Sequence, residues 1–151
     1  MNRPSPQPPV RDVVFLVADK GMEAMLRGFF SRERFHHALG CGPFSVDPGR
    51  DIIVDPGRDP GVFLRAHELL RLYEGEYAHA VVMLDAAWEG SPGADAIREA
   101  LTTRLKSRWD SFTVVVIDPE LEAWIWQDSP HVAQTLNFPS DFRAILERSG
   151  H

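Results

Sequence analysis

Three stretches of this chain share one pattern: a short run of consecutive apolar, strand-forming residues that closes on an aspartate. Val13–Val17 (VVFLV) leads to Asp19, Ala80–Leu84 (AVVML) to Asp85, and Thr113–Ile117 (TVVVI) to Asp118. Runs without polar residues at alternate positions mark strands buried on both faces, as in a parallel sheet. Asp51–Val54 (DIIV) reads as a further strand. Between the strands the apolar spacing turns helical. Met22, Met25, Leu26, Phe29 and Phe30 share one stripe of a helix over Met22–Leu39. Phe63, Ala66, Leu69, Leu70 and Tyr73 do the same over Val62–Tyr77, and a third helix is expected from Ala94 to Trp109. Strands alternating with helices of this length predict βαβ units with right-handed crossovers. The expected fold class is α/β: a three-layer, Rossmann-like domain with a four-stranded, mainly parallel sheet flanked by helices. Pro119 is placed to open a helix over Glu120–Trp126. Ser140 is a candidate cap for a last short helix over Asp141–Arg148.

The hexapeptide VDPGRD occurs twice, at Val46–Asp51 and Val54–Asp59, on either side of the DIIV strand. Pro-Gly pairs suggest type II turns, with glycine at positive φ. Two short copies are too few for a solenoid repeat, so two similar turns bracketing one strand are expected.

A length of 151 residues suits one domain, placed at 12–149, with 1–11 as a proline-rich, disordered lead-in. The lead-in lacks the apolar core of a signal peptide. Val13–Ala18 and Val114–Ile117, the longest apolar runs, are far too short to span a bilayer, so no membrane role is expected. Cys41 is the only cysteine, which excludes an internal disulfide and a cysteine-rich zinc site and fits a reducing cytoplasm. A net charge of -6 means that a polyanion could bind only through a local basic patch. Arg27, Arg32, Arg34, Arg65, Arg71, Arg98, Arg104, Lys106 and Arg108 are scattered over the helices and read mainly as solvated surface. Neither GxxxxGK[ST] nor GxGxxG nor GxSxG occurs, so nucleotide, hydride and α/β-hydrolase chemistry have no motif to stand on.

In open parallel sheets ligands collect beyond the carboxyl ends of the strands. Asp19, Asp85 and Asp118 arrive there, followed closely by Glu23, Glu89, Glu120 and Glu122. Carboxylates converging on that rim can hold Mg²⁺ or Mn²⁺, which activates water and steadies a phosphoryl oxygen. The competing reading is structural: an acid just after a strand caps the next helix, and Asp19 is well placed to do so. Adjacent helical residues splay apart, so His36-His37 is a poor metal pair. Trp124 reads as a core anchor.

Around these acids the chain resembles the topoisomerase-primase (Toprim) family, in particular its small bacterial members. VFLVADKGMEAML is similar to the family's opening motif, an apolar strand followed by Val-Glu-Gly and an acidic helix start. AVVMLDAAWEG is similar to the second motif, a strand running into Asp-x-Asp, and VIDPELEAWIWQD to the third segment, a strand leading to Glu-x-Trp. The likeness covers most of Arg11 to Asp128. It implies a glutamate as general acid-base and paired aspartates as Mg²⁺ ligands. Carried over, the glutamate position is Ala18, the first aspartate is Asp85 and the second is Ala87. Asp19 and Glu23 are then the candidate catalytic acids, and Asp85, Glu89 and Glu122 the candidate metal ligands. Loss of an acid-base group costs about 10²–10⁴-fold in rate.

The resemblance therefore implies a degenerate Toprim-like subunit of a bacterial complex, of anti-phage defence or restriction type. Such a subunit binds protein or nucleic acid rather than catalysing efficiently. Its partners are other proteins of a multi-subunit system, with nucleic acid and a second copy of the chain as further candidates. The alternative is a Mg²⁺-dependent nuclease or phosphotransfer enzyme with a rearranged acidic site. A scaffold that handles no nucleic acid is the third reading.

Overall fold

The first apolar run forms β1 (Arg11–Val17) in the computed structural model, which describes residues 10–121. β1 begins at Arg11, the last residue of the expected lead-in. The other strands are β2 (Ile52–Val54), β3 (Tyr77–Asp85) and β4 (Phe112–Ile117). They form one sheet in the order β2-β1-β3-β4, and all its pairings are parallel. Phe15 stands beside Ile52 on one side and Val81 on the other, and Met83 pairs with Val115. The α/β architecture and the parallel sheet agree with the sequence.

Helices α1 (Lys20–Phe30) and α2 (Phe35–Leu39) join β1 to β2, α3 (Arg58–Leu69) joins β2 to β3, and α4 (Ala94–Lys106) joins β3 to β4. The connection from β1 steps to one side of the sheet and the next two step to the other. With right-handed crossovers, α1 then lies on one face and α3 and α4 on the opposite face. Arg104 on α4 stitches that second pair together. Its guanidinium lies over the Phe63 ring, 5.1 Å from the centroid, and donates to the Phe63 carbonyl on α3. Under α3 and α4 the residues Val14, Leu16, Ala80, Val82 and Leu84 are fully buried. On the α1 side Phe15 is nearly buried, whereas Val81 and His79 are only half-buried.

Several boundaries differ from expectation. The helix expected over Met22–Leu39 is two helices, because Ser31 ends α1 by donating its hydroxyl to the Gly28 carbonyl. The break lets Phe35 fold back edge-on against Phe30, with ring centroids 4.9 Å apart. The second helix starts four residues early, at Arg58, with Pro60 in its first turn where a missing N–H costs nothing. It passes through a 3₁₀ turn (Leu70–Tyr73) and is over before Tyr77, which belongs to β3. Pro119 follows a cis peptide bond, and residues 118–121 contain no helix. The rest of Glu120–Trp126, with Glu122 and Trp124, and the helix expected at Asp141–Arg148 lie outside the described residues.

The Pro-Gly turns are not type II. Gly57 has φ −77°, and Gly49 is not among the glycines at positive φ. In both copies of the hexapeptide the aspartate side chain takes over the turn. Asp47 Oδ1 accepts from Gly49 N–H at 3.0 Å, and Asp55 Oδ1 accepts from Gly57 N–H at 2.8 Å. Such Asx-turns need no positive φ at the glycine. The repeat therefore does give two similar turns around β2.

Candidate functional site

The carboxyl ends of β1 and β2 open onto a polar pocket of about 520 Å³, bounded by Asp19, Lys20, Asp55, Arg58 and Asp59. It is built from the β1–α1 and β2–α3 junctions. The amino ends of α1 and α3 sit at this rim, and their free N–H groups and dipoles favour carboxylates there.

Five acids at or next to the described rim have structural partners. Asp19 is the N-cap of α1, in extended backbone, with its Oδ1 accepting from Met22 N–H at 2.8 Å. Glu23, in the first turn of α1, forms an i,i+4 ion pair with Arg27 at 3.7 Å. Asp85 ends β3 and is 5% exposed; its Oδ1 accepts from Leu121 N–H at 2.8 Å. Asp59 Oδ1 accepts from Asp85 N–H at 2.8 Å, which ties the start of α3 to the end of β3. Asp55 is fully buried in its side chain and lies 3.7 Å from Arg65. Among the described residues its Oδ2 has no hydrogen-bond donor, and it packs against Gly61, where a Cβ would stand only 2.6 Å away. Glu89, Asp118 and Glu120 are exposed.

Of the acids proposed from sequence, Asp19, Asp85 and Asp118 stand at the carboxyl ends of β1, β3 and β4, with Asp118 exposed. Glu23 lies a turn into α1, Glu89 is in the exposed loop after β3, and Glu122 is outside the described residues. Among the described residues no three His, Cys, Asp or Glu side chains come together as a metal-holding group. Ala18, at the acid-base position of the family motif, is fully buried, and Ala87 is exposed. Sequence reasoning missed Asp55 and Asp59. Their signal is the second hexapeptide copy, whose Pro-Gly pair points only to a turn.

The opposite edge of the sheet carries a second polar cluster that the sequence did not reveal. Asp51, 1% exposed, is clasped by Arg11, with Nε to Oδ1 and Nη2 to Oδ2 both at 2.7 Å. Tyr77 hydroxyl donates to Oδ1 at 2.9 Å and Asp47 N–H to Oδ2 at 2.7 Å. Burial by itself would raise the Asp51 carboxyl. The Arg11 guanidinium, the Asp47 N–H and the Tyr77 hydroxyl outweigh it and hold the group below the usual carboxylate range. Burial and the neighbouring Asp51 charge push the Tyr77 phenol up. The cluster fastens β2 to the starts of β1 and β3.

Comparison with known proteins adds no identity: no family model, no curated protein and no solved structure matches this chain. Among the described residues no helix is long and apolar enough to cross a membrane.

Proposed function

We propose that this chain is a degenerate Toprim-like subunit of a bacterial multi-protein system, of anti-phage defence or restriction type, that works by binding a protein partner. The observation that carries the reading is the state of Asp85, the first metal-ligand position in the resemblance. One of its oxygens accepts from Leu121 N–H in a nearly closed site. The acid-base and second-ligand positions are Ala18 and Ala87. Asp19, the adjacent acid, is used as a helix cap. A protein partner is favoured over nucleic acid by the net charge of -6, which a polyanion would have to overcome through a local basic patch.

Calorimetric titration of the full chain with MgCl₂ and MnCl₂ tests this, alongside incubation with single-stranded, double-stranded and structured nucleic acid. The expected result is no saturable heat at millimolar metal and no cleavage, together with a defined complex with products of neighbouring genes. Metal binding that disappears in Asp85→Asn, with cleavage that needs the metal, would instead establish the rearranged enzyme.

A further inference from the structure

Among the described residues the two faces of the sheet are covered unequally, and the thinner side holds a second, partly open cavity. It lies at the amino half of the strands, has a volume of about 640 Å³ and shares no lining residue with the pocket at the carboxyl rim. Val13, Phe15 and Val81 form its floor, with Met25 and Phe29 of α1 on one wall and Phe44 on the other. Ligand pockets span roughly 300–1,000 Å³, so this volume suits a small molecule.

Its walls are preformed. Phe30, Phe35 and Phe44 interlock edge-on, with centroids 4.9 Å apart for the first pair and 5.0 Å for the second. Phe29 meets Phe30 at 5.2 Å in the same manner. A water molecule needs two to four polar partners to be held, and this lining offers very few.

The polar groups at the cavity's edge are Asp12 and His79, and both are engaged. Asp12 Oδ2 accepts from Ser45 N–H at 2.7 Å. The His79 ring nitrogens are bonded to Ser111 Oγ at 2.6 Å and Thr113 Oγ1 at 2.8 Å. An imidazole bonded at both nitrogens offers a guest its ring face and no donor. Burial also lowers its basicity. Among the described residues the one full charge at the edge is the Asp12 carboxylate, which repels anions.

We infer that this cavity binds a neutral, largely apolar small molecule, in preference to an anionic amphiphile such as a fatty-acid carboxylate. The reading is independent of the carboxyl rim and of any metal.

The test uses the full chain and the uncharged dye Nile red. Saturable uptake with a blue-shifted emission is expected, at one dye per chain. Decanol should displace the dye at least tenfold more effectively than decanoate. Val81→Trp fills the floor and should weaken uptake at least tenfold. Met25→Trp fills the cavity from the helix side and serves if the strand variant does not fold. Circular dichroism identifies the folded variants. Three results would overturn the inference: no uptake by the folded chain, as when another part of the chain or a second copy fills the space; equal displacement by decanoate; or uptake unchanged in a folded filled variant.

Discussion

Gly61 shows what a single hydrogen atom in place of a methyl group achieves. The Asp55 carboxylate occupies the space that a Cβ would need, with Oδ2 at 2.6 Å and Cγ at 3.2 Å from the ideal Cβ position. The acid cannot easily swing away, because Gly57 N–H holds its other oxygen. Gly61 lies in α3, so alanine would gain about 1 kcal/mol of helix propensity. Overpacking of a tight site costs about 1–3 kcal/mol. Gly61→Ala is therefore expected to be net destabilising in urea denaturation. The clash needs both partners, so Gly61→Ala should cost less in an Asp55→Ala background, by about 0.5–3 kcal/mol of coupling. Strict additivity of the two changes would rule out the contact. This site also marks where reading residues from sequence ran out. Asp85 was legible because a buried strand runs straight into it. Asp55 was hidden by its Pro-Gly neighbours, which announce a turn and say nothing about where the aspartate points. Its closeness to Gly61 depends on how the turn meets α3.

At the scale of elements, the alternation of strand and helix was legible because apolar periodicity directly reflects which faces are buried. The break in the first expected helix was not. No glycine or proline lies between Gly28 and Gly40 to announce a stop, and the signal that ends α1 is one serine bonding back to Gly28. The turn type was misread for a related reason. Pro-Gly favours type II only when no side chain competes for the turn's N–H, and here the aspartate before the proline does. Asp19 had two readings, as a catalytic acid and as a helix cap, and its bond to Met22 N–H makes the second concrete. Asp19→Ala should therefore destabilise the fold by about 0.5–2 kcal/mol, as loss of a cap does. Asp19→Asn or Asp19→Ser should recover most of that. Chemical denaturation of the three variants measures the effect. If alanine and asparagine prove equally stable, the side chain is not acting as the cap and its role at the rim reopens.

For the molecule as a whole, parallel strands were expected but their order was not, since hydrophobic runs carry no label of their neighbours. The order β2-β1-β3-β4 places the shortest strand at an edge, where three residues of pairing hold it weakly. The two hexapeptide copies meet that weakness from both ends. Asp51, closing the first, joins β2 to Arg11 on β1 and Tyr77 on β3; Asp59, closing the second, reaches the end of β3. The amino-edge clasp should set the acid limit of the fold. The native Asp51 carboxyl is held below its unfolded value, so the folded state binds fewer protons there than the unfolded chain does. Its contribution is complete above the ordinary carboxylate value of about 3.9 and is lost as pH falls through the native value. Tyr77 acts at the other extreme. Its phenol is raised, so its contribution holds below about pH 10 and fades as pH rises through the native value. Tyr77→Phe removes a hydrogen bond to a charged group and should cost about 1.5–3 kcal/mol at pH 7. The same change leaves Asp51 easier to protonate, so the gap between Tyr77→Phe and wild type should narrow as pH falls through the native Asp51 value of the variant. Urea denaturation from about pH 8 down to the acid unfolding of the chain gives both curves. Parallel curves, with a constant gap all the way to acid unfolding, would mean that Tyr77 does not bear on the Asp51 charge.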